Sequence, residues 1–144
     1  MSRLPTAFTL CAALVMTGCG TAEYDWNQAL AANTVGAYQT FVKRHPADKR
    51  ADDARGRILG LRDDQAWALA QATPTIAGYR RYLRTESGGI HARDAQYEIM
   101  ALQRAAAWKA IQKDESAASL HAFLQKYPQG VESNEARRKL QSYL

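Results

Sequence analysis

Cysteine is almost absent from this chain. Its two copies, Cys11 and Cys19, both fall within the first nineteen residues, so the body that follows has no thiol for a disulfide or a cysteine zinc site. Proline (four residues) and glycine (nine) are sparse, β-branched residues are few and alanine dominates, a balance that favours helix over sheet. With 47% apolar and 23% charged residues, the chain does not have the composition of a disordered one. At 144 residues it has the length of a single domain of ordinary size.

The N-terminus is set aside before the fold is considered. "MSRLPTAFTLCAALVMTGCG" places one cation, Arg3, ahead of an apolar run from Ala7 to Met16, then small residues. A helix that spans a bilayer needs ~20 apolar residues, so this run is too short and reads as a secretory signal. Val15-Met16-Thr17-Gly18-Cys19 resembles the lipobox of bacterial lipoproteins. The resemblance implies cleavage before Cys19 and acylation of its thiol with palmitate-type chains. Because Gly20 and not aspartate follows, it also implies an outer-membrane address, anchored by lipid and facing the periplasm. A lone exported thiol needs a use, and acylation supplies one; each buried methylene contributes ~0.8 kcal/mol, and two chains anchor stably where one does not. Ordinary cleavage after Gly20-Thr21-Ala22, releasing a soluble periplasmic protein, and an uncleaved anchor are the alternatives.

The body repeats itself. Trp26, Trp67 and Trp108 stand forty-one residues apart, and the same step superposes Thr34, Thr75 and Ser116, then Tyr38, Tyr79 and Leu120, then Phe41, Tyr82 and Phe123. Further on it superposes Asp53, Asp94 and Glu135, and Ala54, Ala95 and Ala136. The recurring types are apolar or helix-capping, which is the profile of packing. Val35, Tyr38, Phe41 and Val42 fall on one face of a 3.6-residue period, and both later copies keep that spacing. The Thr34, Thr75 and Ser116 hydroxyls stand where helix N-caps are expected; Pro46, Pro128 and Ser87-Gly88-Gly89 stand where the runs must stop. Between them, Ala51, Ala54, Ile58 and Leu61 begin a longer helical stripe, as do Ala92, Ala95, Ile99 and Leu102. Trp67 lies off that stripe, and Gly56 and Gly60 weaken the first copy; continuity from about Lys49 to Gln71 is left open, and a bend near Asp63 would satisfy both observations.

Ala37-x-x-x-Phe41 and "FLQKYPQGVESNEARRKL" at 123–140, with Ala136 inside it, are similar to the tetratricopeptide-type repeats of outer-membrane lipoproteins such as the assembly-factor BamD family. The resemblance implies an all-α, right-handed, short helical-repeat solenoid of about three helix pairs. Those repeats run to thirty-four residues; seven more are nearly two helical turns and rotate the buried face by only ~20°. HEAT-like packing, with periods of ~40–47, is the architectural rival. The domain reading is then a signal peptide over 1–18, a lipidated Cys19 and short tether over 19–24, and a repeat domain over 25–144. Its repeats lie near 26–66, 67–107 and 108–144, with Trp26, Phe41, Trp67, Tyr82, Trp108 and Phe123 as the core residues that interlock them.

Chemistry-bearing patterns are scarce. His45, His91 and His121 occupy different phases of the repeat and share no metal-ligand spacing, so they read as surface or helix-end residues, and neither metal nor cofactor is expected. Asp52-Asp53, Asp63-Asp64 and Asp114-Glu115 are adjacent pairs whose side chains diverge by ~100° on a helix; helix-start charge and solvated faces account for them. Ser87-Gly88-Gly89 lacks the lysine of a phosphate loop, and neither a nucleophile elbow nor a dinucleotide fingerprint is present, so no enzyme activity is expected. The net charge of +5, or +4 without Arg3, leaves two basic clusters: Arg80, Arg81 and Arg84, and Arg137, Arg138 and Lys139. Arg80 and Arg84 share a helix face, which makes Arg80, Arg81 and Arg84 the candidate partner-binding residues. The expected function is a non-catalytic, lipid-anchored protein–protein adaptor of the bacterial cell envelope, with an envelope protein as partner and no nucleic acid. A binding module for an anionic envelope polymer or lipid, and an accessory subunit of an envelope enzyme, are the alternatives.

Overall fold

A computed structural model describes residues 19–113 and 115–143, with the side chains of 19 and 20 outside the description. Among the described residues there are seven helices and no strand. They are α1 (Cys19–Ala32), α2 (Val35–Arg44), α3 (Ala51–Ala72), α4 (Ile76–Thr85), α5 (Ala92–Ile111), α6 (Ala117–Lys126) and α7 (Val131–Gln141). The leader over 1–18 lies outside the described residues, and residues 19–24, read from the sequence as a tether, are helical. The chain forms two compact units, one up to Arg55 and one from Gly56 onward.

The short helices begin where the hydroxyls stand. Thr34, Thr75 and Ser116 are extended N-caps whose side-chain oxygens accept from the amides of Ala37, Gly78 and Ser119 at 3.2, 3.0 and 3.2 Å. Each hydroxyl satisfies a donor that the first helical turn would otherwise leave orphaned. All three helices run ten residues and stop two residues short of Pro46, Ser87 and Pro128.

In the first unit, Trp26 of α1 packs on Phe41 and Tyr38 of α2 at ring separations of 5.1 and 6.0 Å, and Ala51 and Ala54 are buried. The chain turns between α1 and α2 at Asn33, whose φ of 44° is tolerated because its side chain is short and polar. The side-chain oxygen Oδ1 of Asn33 accepts the Tyr38 hydroxyl at 3.0 Å. Arg50 closes this core: its guanidinium grips Asp48 with two bonds of 2.8 and 2.9 Å and stands over the Trp26 and Phe41 rings at 6.0 and 5.8 Å.

The second unit repeats the arrangement twice. Trp67 and Ala70 of α3, Tyr79 and Tyr82 of α4, and Ala95 and Ile99 of α5 form one core. Trp108 of α5, Leu120 and Phe123 of α6, and Ala136 and Leu140 of α7 form the other. Ala54, Ala95 and Ala136 are each 0% exposed, which is why no larger residue stands at that repeat position.

The long helices are continuous. α3 runs unbroken through Asp63 for 22 residues and α5 for 20. At ~100° per residue, Ala95, Ile99 and Leu102 of α5 face one way, while Ala107, Trp108 and Ile111 face roughly the opposite way. The N-terminal half serves one core and the C-terminal half the next. A tryptophan off the stripe therefore marks a change of buried face within a continuous helix.

Candidate functional site

The exposed arginines stand on α4. Arg80, Arg81 and Arg84 are all solvent-exposed, within an arc of ~100° of the helix, and Arg84 sits in the last turn, where a cation suits the helix dipole. Arg81 borders a cavity of about 290 Å³ lined by Leu69, Thr73 and Gly78. In the second basic cluster Arg138 is exposed, while Arg137 and Lys139 are engaged within the fold. Arg137 donates to Asn134 and to the Pro128 carbonyl, and Lys139 pairs with Glu115 while standing 5.9 Å from the Trp108 ring. Of the core aromatics named from the sequence, Trp26, Phe41, Tyr82, Trp108 and Phe123 are buried and Trp67 is half-buried. Cys19 opens α1, and its side chain lies outside the described residues.

The structure also holds a polar knot that the sequence reading assigned to a solvated face. Asp63, in the interior of α3, is only 4% exposed. One carboxylate oxygen accepts the Tyr82 hydroxyl and the other accepts the Ile90 amide at 3.0 Å. Burial, and after it the bond to Asp63, push the Tyr82 phenol well above its ordinary range, so it remains a protonated donor. Gly89 makes this approach possible: a Cβ there would stand 2.0 Å from Asp63 Oδ1 and 2.5 Å from the Tyr82 oxygen. Beside the knot, His91 stacks on Trp67 at 5.1 Å with 10° between planes, and its Nε2 lies 3.2 Å from Asp64.

The burial of Asp63 has a physical cause. Tyr82 occupies the repeat position of Phe41 and Phe123, and Asp63 that of Ala22 and Arg104. A buried carboxylate is tolerable once two donors reach it. The signal was present as two coincident departures in the middle copy, a hydroxyl and an acid, joined by glycine where the first copy has Asp48. It also accounts for Ser87-Gly88-Gly89 at the place of a proline phrase. The third copy solves the same contact with opposite charge. Arg104 donates to Glu132 at 2.6 Å, and a Cβ on Gly130 would stand 2.5 Å from the Arg104 guanidinium. Gly130 also has φ +126°, a backbone that side chains rarely adopt.

Asp63, Asp64 and His91 offer ligand atoms within 4.8 Å of one another, so a divalent cation is the chemistry to test there. Both oxygens of Asp63 already accept hydrogen bonds, and a metal would have to displace Tyr82 or Ile90. His45 and His91 close helix ends, as expected, and His121 is exposed on α6. Among the described residues no helix is long and apolar enough to cross a membrane. No protein-family model, no curated protein and no solved structure matches the chain.

Proposed function

We propose that this chain is a lipid-anchored, non-catalytic adaptor of the bacterial cell envelope, its body a short tetratricopeptide-like solenoid that holds another envelope protein. The observation that carries this reading is what recurs at the forty-one-residue step: a tryptophan, the aromatic of Phe41, Tyr82 and Phe123, a buried alanine and the helix-start acid of Asp53, Asp94 and Glu135 recur, whereas the histidines do not keep a common pattern. A chain that repeats its packing and varies its surface presents a binding face on a constant scaffold. The lipobox-like Val15-Met16-Thr17-Gly18-Cys19 supplies the anchor, and an anchor at Cys19 raises the effective concentration of partners on the same membrane. Arg80, Arg81 and Arg84 are the docking residues of choice because all three are exposed on one helix. A photoreactive residue at position 81, activated in cells and followed by mass spectrometry, tests the reading: one envelope protein recovered in stoichiometric yield is the expected result.

The same three cations favour a second reading, a module for an anionic envelope polymer or lipid. Retention on cell-wall or lipid fractions that collapses with added salt, without a protein adduct at position 81, would establish that one instead.

A further inference from the structure

The second unit carries two grooves at equivalent places of successive repeats, and they are copies of each other. The first lies between Leu59 and Asp63 of α3 and the loop through Gly89, with a volume of about 480 Å³. The second lies between Met100 and Arg104 of α5 and the loop through Gly130, with a volume of about 470 Å³. Leu59 and Met100, Asp63 and Arg104, and Gly89 and Gly130 are each forty-one residues apart. Beside the two glycines stand Ile90 and Val131, 79% and 78% exposed, and Leu59, Tyr97 and Met100 are more than half exposed. Most of the large exposed apolar side chains described in this unit thus stand in or beside the two grooves.

The grooves differ in charge. Asp63 and Glu86 line the first; Arg104 and Lys126 line the second. Asp63 is held by Tyr82 and Arg104 by Glu132, so Glu86 and Lys126 are the charges available to a partner. A surface with an apolar knob beside each groove, acid at one end and base at the other, carries its own complement in reverse order. A two-fold axis between the grooves sets each acidic groove against a basic one, and it does so twice.

We propose that this surface is where a second copy of the chain docks, antiparallel, with Glu86 of each copy against Lys126 of the other and the exposed apolar side chains covered between them. Such an interface is isologous and closes on itself. The apolar residues supply the driving force and the charges fix the orientation, because a parallel arrangement would set acid on acid. This inference is independent of the adaptor reading, which concerns α4.

Sedimentation equilibrium of the full chain in density-matched detergent tests it, on the wild type, Glu86→Lys, Lys126→Glu and the double variant, with thermal melts to verify folding. The wild type is expected to dimerise. Each single reversal should weaken the dimer by about tenfold or more, and the double should return to within about threefold of the wild type. Leu59→Asp, an exposed position with no folding role, should also yield monomer. A wild type that stays monomeric at about 100 µM overturns the proposal. A double variant as weak as its parents, or a Leu59→Asp dimer as tight as the wild type, overturns it equally.

Discussion

Tyr82 and Asp63 are worth more as a pair than as two residues. Tyr82→Phe installs the residue found at this position in the other two copies, yet it strips a donor from a buried carboxylate. It should cost about 1–3 kcal/mol in urea unfolding. Asp63→Ala alone leaves a buried hydroxyl seeking a partner. The double variant reproduces Ala22 and Phe41 of the first copy, and its loss should be smaller than the sum of the two singles. Additive losses would show that the hydroxyl and the carboxylate do not depend on each other. Phe41→Ala is simpler: the ring is 1% exposed and packs on Trp26, so about 3–5 kcal/mol should be lost, and an unchanged melting temperature would remove Phe41 from the core. The knot was not legible in advance because a carboxylate next to another carboxylate in a helical sequence resembles a wet face. Only the coincidence with Tyr82 and Gly89 distinguishes it, and that coincidence is a matter of three dimensions.

At the scale of the elements, the short helices were the most legible, because each carries its own start, stripe and stop within fourteen residues or so. Thr75→Ala should cost about 1 kcal/mol, read as a shift in the urea midpoint, since the Gly78 amide loses its acceptor. The long helices were harder, because a stripe that changes face halfway does not announce itself as one helix. The first turn of α7 offers a pH test. The Arg104 guanidinium holds the Glu132 carboxyl below its ordinary value, so the pair stabilises the fold above the unfolded pKa of about 4.3 and the contribution is lost as pH falls through the lower folded value. Glu132→Gln should therefore be less stable than the wild type at pH 7, and the gap should close in acid. A gap that is constant down to pH 3 would sink the assignment.

For the whole molecule, the all-helical class followed from composition and the forty-one-residue step, while the pairing of Asp63 with Arg104 as opposite solutions to one position did not. The address is tested separately from the fold. Cys19→Ser should shift the protein out of the membrane pellet, with an unchanged helical circular-dichroism spectrum; continued sedimentation with membranes would point to an uncleaved leader.

The unlike polar contacts also bear on how such a chain avoids deceiving itself. Three phrases this similar invite a helix to fold against the wrong copy, one phrase out of place. Asp63 displaced onto α6 would meet Phe123 and find no hydroxyl, and Arg104 displaced onto the loop before α5 would meet His91 and lose Glu132. Each mispairing costs a polar side chain its partner, so the sequence penalises slippage and helix exchange between neighbouring molecules at the very place where its apolar residues cannot tell the copies apart.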